Sequence, residues 1–178
     1  MRRLFIFGLI GALATLSGST LRQLSLNDMI LQSTSIVRGK VQLASAKYHG
    51  SMIFTHYTLQ VTESYKGSAS GQIDIGVPGG TLAGVTQRYA GSPSLNPNLD
   101  YVIFLWTSKT GLSQVIGLSQ GLFSVIATQN SPLMVVRAAS TERMLNAAGQ
   151  QVADNDIEMP LSQLKTQIQT VLGVQATQ

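Results

Sequence analysis

Between Ile36 and Arg137 apolar and polar side chains alternate with a period of two, and that rhythm predicts a succession of strands. Ile36-Val37-Arg38-Gly39-Lys40-Val41 opens the first, with Gly39 marking a bulge or a close backbone approach. Tyr48-His49-Gly50-Ser51 turns the chain. Next, Ile53, Thr55, Tyr57, Leu59 and Val61 fall on one face and Phe54, His56, Thr58, Gln60 and Thr62 on the other, a composition suited to a half-buried pleat. After Tyr65-Lys66-Gly67, a third strand alternates through Ile73, Ile75 and Val77 until Pro78-Gly79-Gly80 stops it.

Residues 78–98 lose the rhythm and read as a long loop, with a short strand around Gln87-Arg88-Tyr89. Loops of this length in compact domains are more often functional than idle, so Gly79, Gly80, Arg88 and Tyr89 become candidate binding residues. Tyr101-Val-Ile-Phe-Leu-Trp106 is a strand buried on both faces, followed by strands over Leu112–Ile116, Leu122–Thr128 and Leu133–Arg137. Short strands separated by Gly- or Pro-bearing turns predict a mainly β fold, an antiparallel OB-like barrel or sandwich.

The flanks follow a different period. Ser25 with Asp28 three residues on forms a capping-box pattern, and Leu26, Met29 and Ile30 then share a helical face ended by Ser33-Thr34-Ser35. Residues 138–156 are polar without a clear period and read as a loosely ordered connection. Pro160 opens a second helix whose face of Leu161, Leu164, Ile168, Val171 and Leu172 is expected to pack on the β domain, with Gly173 ending it. The expected organisation is a β domain over 20–137 with a short leading helix, then 138–178 as connection and amphipathic helix.

The first 19 residues carry the pattern of a secretory signal peptide: Arg2 and Arg3, an apolar run from Leu4 to Leu16, then small residues. Ala12-Leu13-Ala14 and Ser17-Gly18-Ser19 both satisfy the small-x-small cleavage rule, placing the cut after 14 or after 19. The run is shorter than the roughly 20 residues a stable span needs, so no transmembrane span is expected after processing. The expected location is periplasmic or extracellular. Export also changes the charge balance. With Arg2 and Arg3 gone, 12 basic residues become 10, against 8 acidic, a net of +2. That charge is too small and scattered for the basic stripe of a nucleic-acid binder. Charged residues are only 11% of the chain, so Ser, Thr, Gln and Asn dominate its surface.

Cysteine is absent, which excludes thiolate catalysis and Cys-based metal or redox motifs in this chain. About 160 residues bury enough surface to dispense with disulfides.

The segments Ile-Val-Arg-Gly-Lys-Val (36–41), Thr-His-Tyr-Thr-Leu-Gln-Val (55–61) and Tyr-Lys-Gly (65–67) resemble a family of exported bacterial domains of unknown function. The likeness continues through Val-Pro-Gly-Gly (77–80), Gly-Ser-Pro (91–93), Tyr-Val-Ile-Phe-Leu (101–105) and Gly-Leu-Ser-Gln-Gly-Leu-Phe-Ser-Val (117–125), covering about residues 36 to 125. The spacing is also similar to that of netrin-like or TIMP-like domains, which implies an OB-fold barrel. Such domains usually carry disulfides and use an N-terminal cysteine when they inhibit metalloproteases, and with no cysteine here that mechanism is not carried over.

Gly117-Leu118-Ser119-Gln120-Gly121 matches the G-x-S-x-G nucleophile elbow. The elbow needs a helix after the serine and a later histidine, whereas Leu122 onward is β-patterned and His49 and His56 both precede Ser119. A tight inter-strand turn using two glycines fits better, which leaves Ser119 and His56, with Asp100 in the order of another triad, as weak catalytic candidates. His49 and His56 lack helical ligand spacing, and a catalytic zinc would require Glu63 or Asp74 to join them. No metal or cofactor is assigned, and His56 is expected on the outer face of its strand. Gly76-Val-Pro-Gly79-Gly80 lacks the Lys-Ser/Thr and helix of a phosphate loop. Asp154, Asp156 and Glu158 lack the EF-hand Gly and Glu and read as a solvated acidic linker. With 6% aromatics and no stacking row, single-strand binding is not expected.

The chain is therefore expected to be an exported non-enzymatic binding or accessory module of the bacterial envelope, its partner a protein or envelope polymer. A structural envelope component assembling through barrel edges, or a small serine hydrolase using Ser119, are the alternatives.

Overall fold

The computed structural model describes residues 20–175, so the signal peptide expected over 1–19 lies outside the described residues. Along the chain run β1 (Thr20–Arg22), α1 (Leu26–Gln32), β2 (Ser35–His49), β3 (Met52–Lys66), β4 (Gln72–Pro78), β5 (Gly80–Leu82) and β6 (Val85–Gln87). Then follow β7 (Asp100–Thr107), β8 (Ser113–Val115), β9 (Leu122–Ile126), β10 (Met134–Arg137), β11 (Arg143–Leu145), β12 (Gln151–Val152), β13 (Ile157–Pro160) and α2 (Leu161–Gln175). Among the described residues no helix is long and apolar enough to cross a membrane.

The fold is mainly β. Its large sheet has the order β13–β10–β9–β7–β2–β3–β4–β8, antiparallel except where β4 meets β8. β8 also pairs with β7, from Leu105↔Val115 to Thr107↔Ser113. Because β8 has three residues and touches β4 only at Ile75↔Ser113, it links β4 back to β7 in the interior of the sheet without closing a wall. β2 and β3 form a 15-by-15-residue hairpin, far longer than the segment Ile36–Val41 suggested, with bulges after Ile36, Arg38 and Val41. Gly39 is both things its sequence context suggested. It sits at a bulge, and a Cβ there would lie 2.3 Å from the Gln60 carbonyl oxygen.

The side-chain period of two sorts the sheet onto two cores. On one face Val37, Val41, Tyr57, Leu59, Ile75, Val77, Tyr101, Ile103 and Leu105 pack together. On the other, Ile36, Val102, Phe104, Phe123 and Val135 receive the two helices. Met29 and Ile30 dock from α1, whose Ser25–Asp28 capping box forms as the sequence indicated. From α2 come Leu161, Leu164 and Ile168, all buried, so its apolar stripe is packed. Lys66, at the end of β3, donates to the carbonyls of Ile30 and Leu31 and so caps α1 where that helix has no basic residue of its own. Gly173 does not end α2, which continues to Gln175.

Residues 138–156 are not a structureless connection. β11 and β12 pair with each other, and β1 pairs with β11 in parallel, Thr20↔Arg143 to Arg22↔Leu145. The acidic run is likewise not a solvated linker. Asp154 and Arg137 are only 4% and 6% exposed and form a two-armed ion pair at 2.9 and 3.0 Å. A third arm of Arg137 reaches the Asn155 carbonyl, while Asp156 accepts from the Ala139 amide. Polar residues without an apolar period thus hold their place by charge pairing, which periodicity does not reveal.

Burial pushes the Asp154 carboxyl up, but the hydrogen bonds from Arg137 and the Ser140 amide outweigh it and hold the group below its ordinary 3.8. A depressed carboxylate stabilises the fold above its unfolded pKa, and that contribution disappears as pH falls through the folded value. Asp154→Ala is expected to cost about 3–5 kcal/mol at neutral pH, because it leaves Arg137 buried and uncompensated. Urea titrations from pH 7 down to pH 2 should show the gap to the native protein narrowing with acid.

Candidate functional site

β4 ends at Pro78, and the two glycines after it turn the chain with φ of +103° at Gly79 and +138° at Gly80, values open to glycine and strained for other residues. The turn is pinned from below. The Gly79 amide donates to the Ile53 carbonyl at 2.8 Å, and Thr55 Oγ1 donates to the Gly79 carbonyl at 2.8 Å. β5 and β6 then form a hairpin across Ala83-Gly84, both at positive φ as the tightest hairpin turns require. Gln87, the last residue of β6, clamps this hairpin to the β2–β3 turn. Its side-chain oxygen accepts from the Ile53 amide at 2.7 Å and its nitrogen donates to the Ser51 carbonyl at 2.9 Å.

Residues 78–98 are therefore an ordered strap with a hairpin in it. The short strand lies over Val85–Gln87, so Arg88 and Tyr89 fall just beyond it. Leu95, 2% exposed, anchors the return leg in the inner core, and the Asn98 amide donates to Val41. Beneath the strap lies a cleft of about 450 Å³ whose lining includes Thr55, Tyr57, Gly79, Gly80, Arg88 and Tyr89. The four candidate binding residues come together there. Arg88 is exposed and makes no ion pair among the described residues, while Tyr89 is 39% exposed. Ser92, also in the lining, has a buried hydroxyl without a hydrogen-bond partner among the described residues. The lining is one of hydroxyls, an amide, a guanidinium and aromatic rings. It contains no histidine or carboxylate that would exchange a proton near neutral pH.

The catalytic candidates are not brought together. Ser119 lies in the turn between β8 and β9, where Gly117 and Leu118 both have positive φ. Gly121 has no room for a Cβ, which would meet Ile116 Cγ2 at 2.7 Å and the Phe104 carbonyl oxygen at 3.0 Å. Gln120 is 1% exposed, accepts from the Leu24 amide at 2.8 Å and donates to the Arg22 carbonyl at 3.0 Å. The motif thus ties the N-terminal segment to the sheet. Asp100 is held by Arg38 at 2.7 and 2.9 Å, and that arginine also binds Glu63.

His56 departs from expectation. It is 7% exposed, and both ring nitrogens are engaged: Nδ1 with Asp74 Oδ2 at 2.6 Å and Nε2 with His49 Nε2 at 2.8 Å. Its partner across the ladder is Gly76, over which Leu112 lies, so this outer face is covered locally. Asp74 lies two positions along β4 from Gly76, the partner of His56 there, and His49 lies four along β2 from Ser45, its partner on the other side, so the three belong to different strands. The long hairpin that joins them was the part of the fold the alternation underestimated. Among the described residues no group of three or more His, Cys, Asp or Glu side chains is arranged to hold a metal ion.

Compared with family profiles, curated proteins and solved structures, the chain matches none of them.

Gly80 forms the cleft's wall, where a Cβ would stand 2.5 Å from Thr55 Oγ1. Gly80→Ala is expected to lower stability by about 1–3 kcal/mol through backbone strain and the displaced threonine. Chemical denaturation of the variant against the native protein measures it.

Proposed function

We propose that this chain is a non-enzymatic binding or accessory module exported to the bacterial periplasm or exterior, taking a protein segment or envelope polymer in the cleft beneath β5 and β6. One observation carries the proposal: the strap gathers Gly79, Gly80, Arg88 and Tyr89, chosen on sequence grounds alone, around a single concave site. Concave sites with a few convergent polar groups are where ligands bind. A hydroxyl-rich lining with a guanidinium that makes no ion pair among the described residues and a half-exposed tyrosine suits hydrogen-bonding polymers better than apolar small molecules.

An OB-like barrel is part of the same proposal. It is supported by the path β7–β2–β3–β4–β8, which returns to β7 with β4 and β8 parallel and linked at one residue pair. In such barrels the strands and loops around one mouth form the binding face. The pattern of residues 1–19 supports export.

The processed protein is expected to co-sediment with isolated cell-wall polymer or to be retained on immobilised exported protein. The double variant Arg88→Ala/Tyr89→Ala is expected to lose at least about tenfold in retention, the size of one well-placed contact. Both side chains are exposed, so its melting temperature should stay unchanged. Equal retention by native and variant protein on every surface would overturn the proposal.

A further inference from the structure

The two histidines and Asp74 lie on the face of β3 opposite the one carrying Thr55 and Tyr57, and the binding proposal makes no use of them. Their rings are nearly parallel, 19° apart, with centroids 5.0 Å apart and Nε2 atoms only 2.8 Å apart. The nitrogens are therefore the nearest points, and the rings meet edge to edge with Nε2 facing Nε2. A carboxylate accepts only, so in the neutral ring Asp74 places the proton of His56 on Nδ1 and leaves Nε2 as a lone pair aimed at His49. His49 Nε2 then supplies the single proton between the rings.

We propose that His49 and His56 form an open two-imidazole site for a divalent transition-metal ion of the zinc class, with Asp74 as its orienting carboxylate. A carboxylate on the far nitrogen of a histidine is the arrangement that sets tautomer and ring direction in metal sites. Neutral imidazole is the ligand that Zn²⁺, Ni²⁺ and Cu²⁺ share, whereas Mg²⁺ and Ca²⁺ prefer oxygen. Zn–N bonds of about 2.0–2.1 Å in a tetrahedral site place two nitrogens roughly 3.3 Å apart. The rings must part by about half an ångström, and one must also turn, since lone pairs that now face each other head-on have to converge on the ion at a tetrahedral angle. His49 is the ring that can do both: it is exposed, next to the turn at Gly50, and besides its contact with His56 it meets the edge of Phe54 at 5.1 Å. On binding, the proton between the rings leaves that line, and His49 regains one on Nδ1 through solvent. Both Nε2 lone pairs then face the ion. With two protein donors, the other coordination positions stay with water or an external ligand.

Equilibrium dialysis or calorimetry of the processed, untagged protein with zinc chloride tests this, with magnesium chloride as the contrast. One Zn²⁺ per chain and no Mg²⁺ are expected. His49→Ala, at an exposed position that leaves the fold intact by circular dichroism, is expected to abolish Zn²⁺ binding, and Asp74→Asn to weaken it 10–100-fold. In nitrogen-15 spectra both Nε2 resonances should move on adding Zn²⁺, with His49 Nδ1 as it takes up its proton, while His56 Nδ1, held on Asp74, stays in place. Absence of saturable binding, or binding that survives His49→Ala, would overturn the proposal. An unchanged affinity in Asp74→Asn would overturn the carboxylate's role. None of these outcomes touches the cleft, so they are separable from retention by Arg88 and Tyr89.

Discussion

The fold depends on one strand having no free side. Tyr101, Ile103 and Leu105 of β7 fill the inner core, while Val102 and Phe104 between them carry the layer on which both helices sit. Its two edges are equally committed. β2 runs along one, and β9 followed by β8 takes the other, so the main-chain groups of β7 are paired on both edges. Its buried run from Tyr101 to Leu105 tolerates no charge and little change of volume, and both cores share it as a common wall. The neighbours follow: β2 supplies Val37 to one core and Ile36 to the other, while register shifts at Ile36–Val37 and Arg38–Gly39 interrupt its pairing with β3.

That wall also decides what the long hairpin is free to do. Beyond Val41 the β2 strand leaves β7, and its far half pairs only with β3. The tip is held instead by Gln87, which ties Ser51 and Ile53 to the strap. The cleft and the histidine pair therefore share one support. Thr55 and Tyr57 face the cleft, His56 faces away, and the residues between them alternate by the pleat alone. Movement at the hairpin tip reaches the cleft through Gln87, through the Gly79–Ile53 hydrogen bond and along β3 itself.

Much of this was legible in the residues. The alternation from Ile53 to Val61, the apolar run at Tyr101–Trp106 and the Ser25–Asp28 cap each rest on a local rule, and each element forms. The stripe of α2 was readable for the same reason. What periodicity missed was long-range pairing between unremarkable segments. β11 and β12 contain two or three residues each, too few to display a rhythm, and exist because β1 and each other complete their hydrogen bonds. Arg137 and Asp154, 17 residues apart, leave no local trace of becoming a buried pair. Of the site, Gly79, Gly80, Arg88 and Tyr89 were found by loop length and residue type. The burial of His56 was not, since it depends on β2 extending to His49 and on Gly76 admitting Leu112.

The parallel pairing of β1 with β11 joins residues near position 20 to residues near position 145, and Gln120 adds a second tie to Arg22 and Leu24. A ribosome or translocon delivers the chain from its N-terminus, so the earliest of these strands has no partner until most of the polypeptide has emerged. Until then Thr20–Arg22 remains an unzipped strand, with a loop closure of more than 120 residues still ahead of it. That fastening waits for the segment that carries β11.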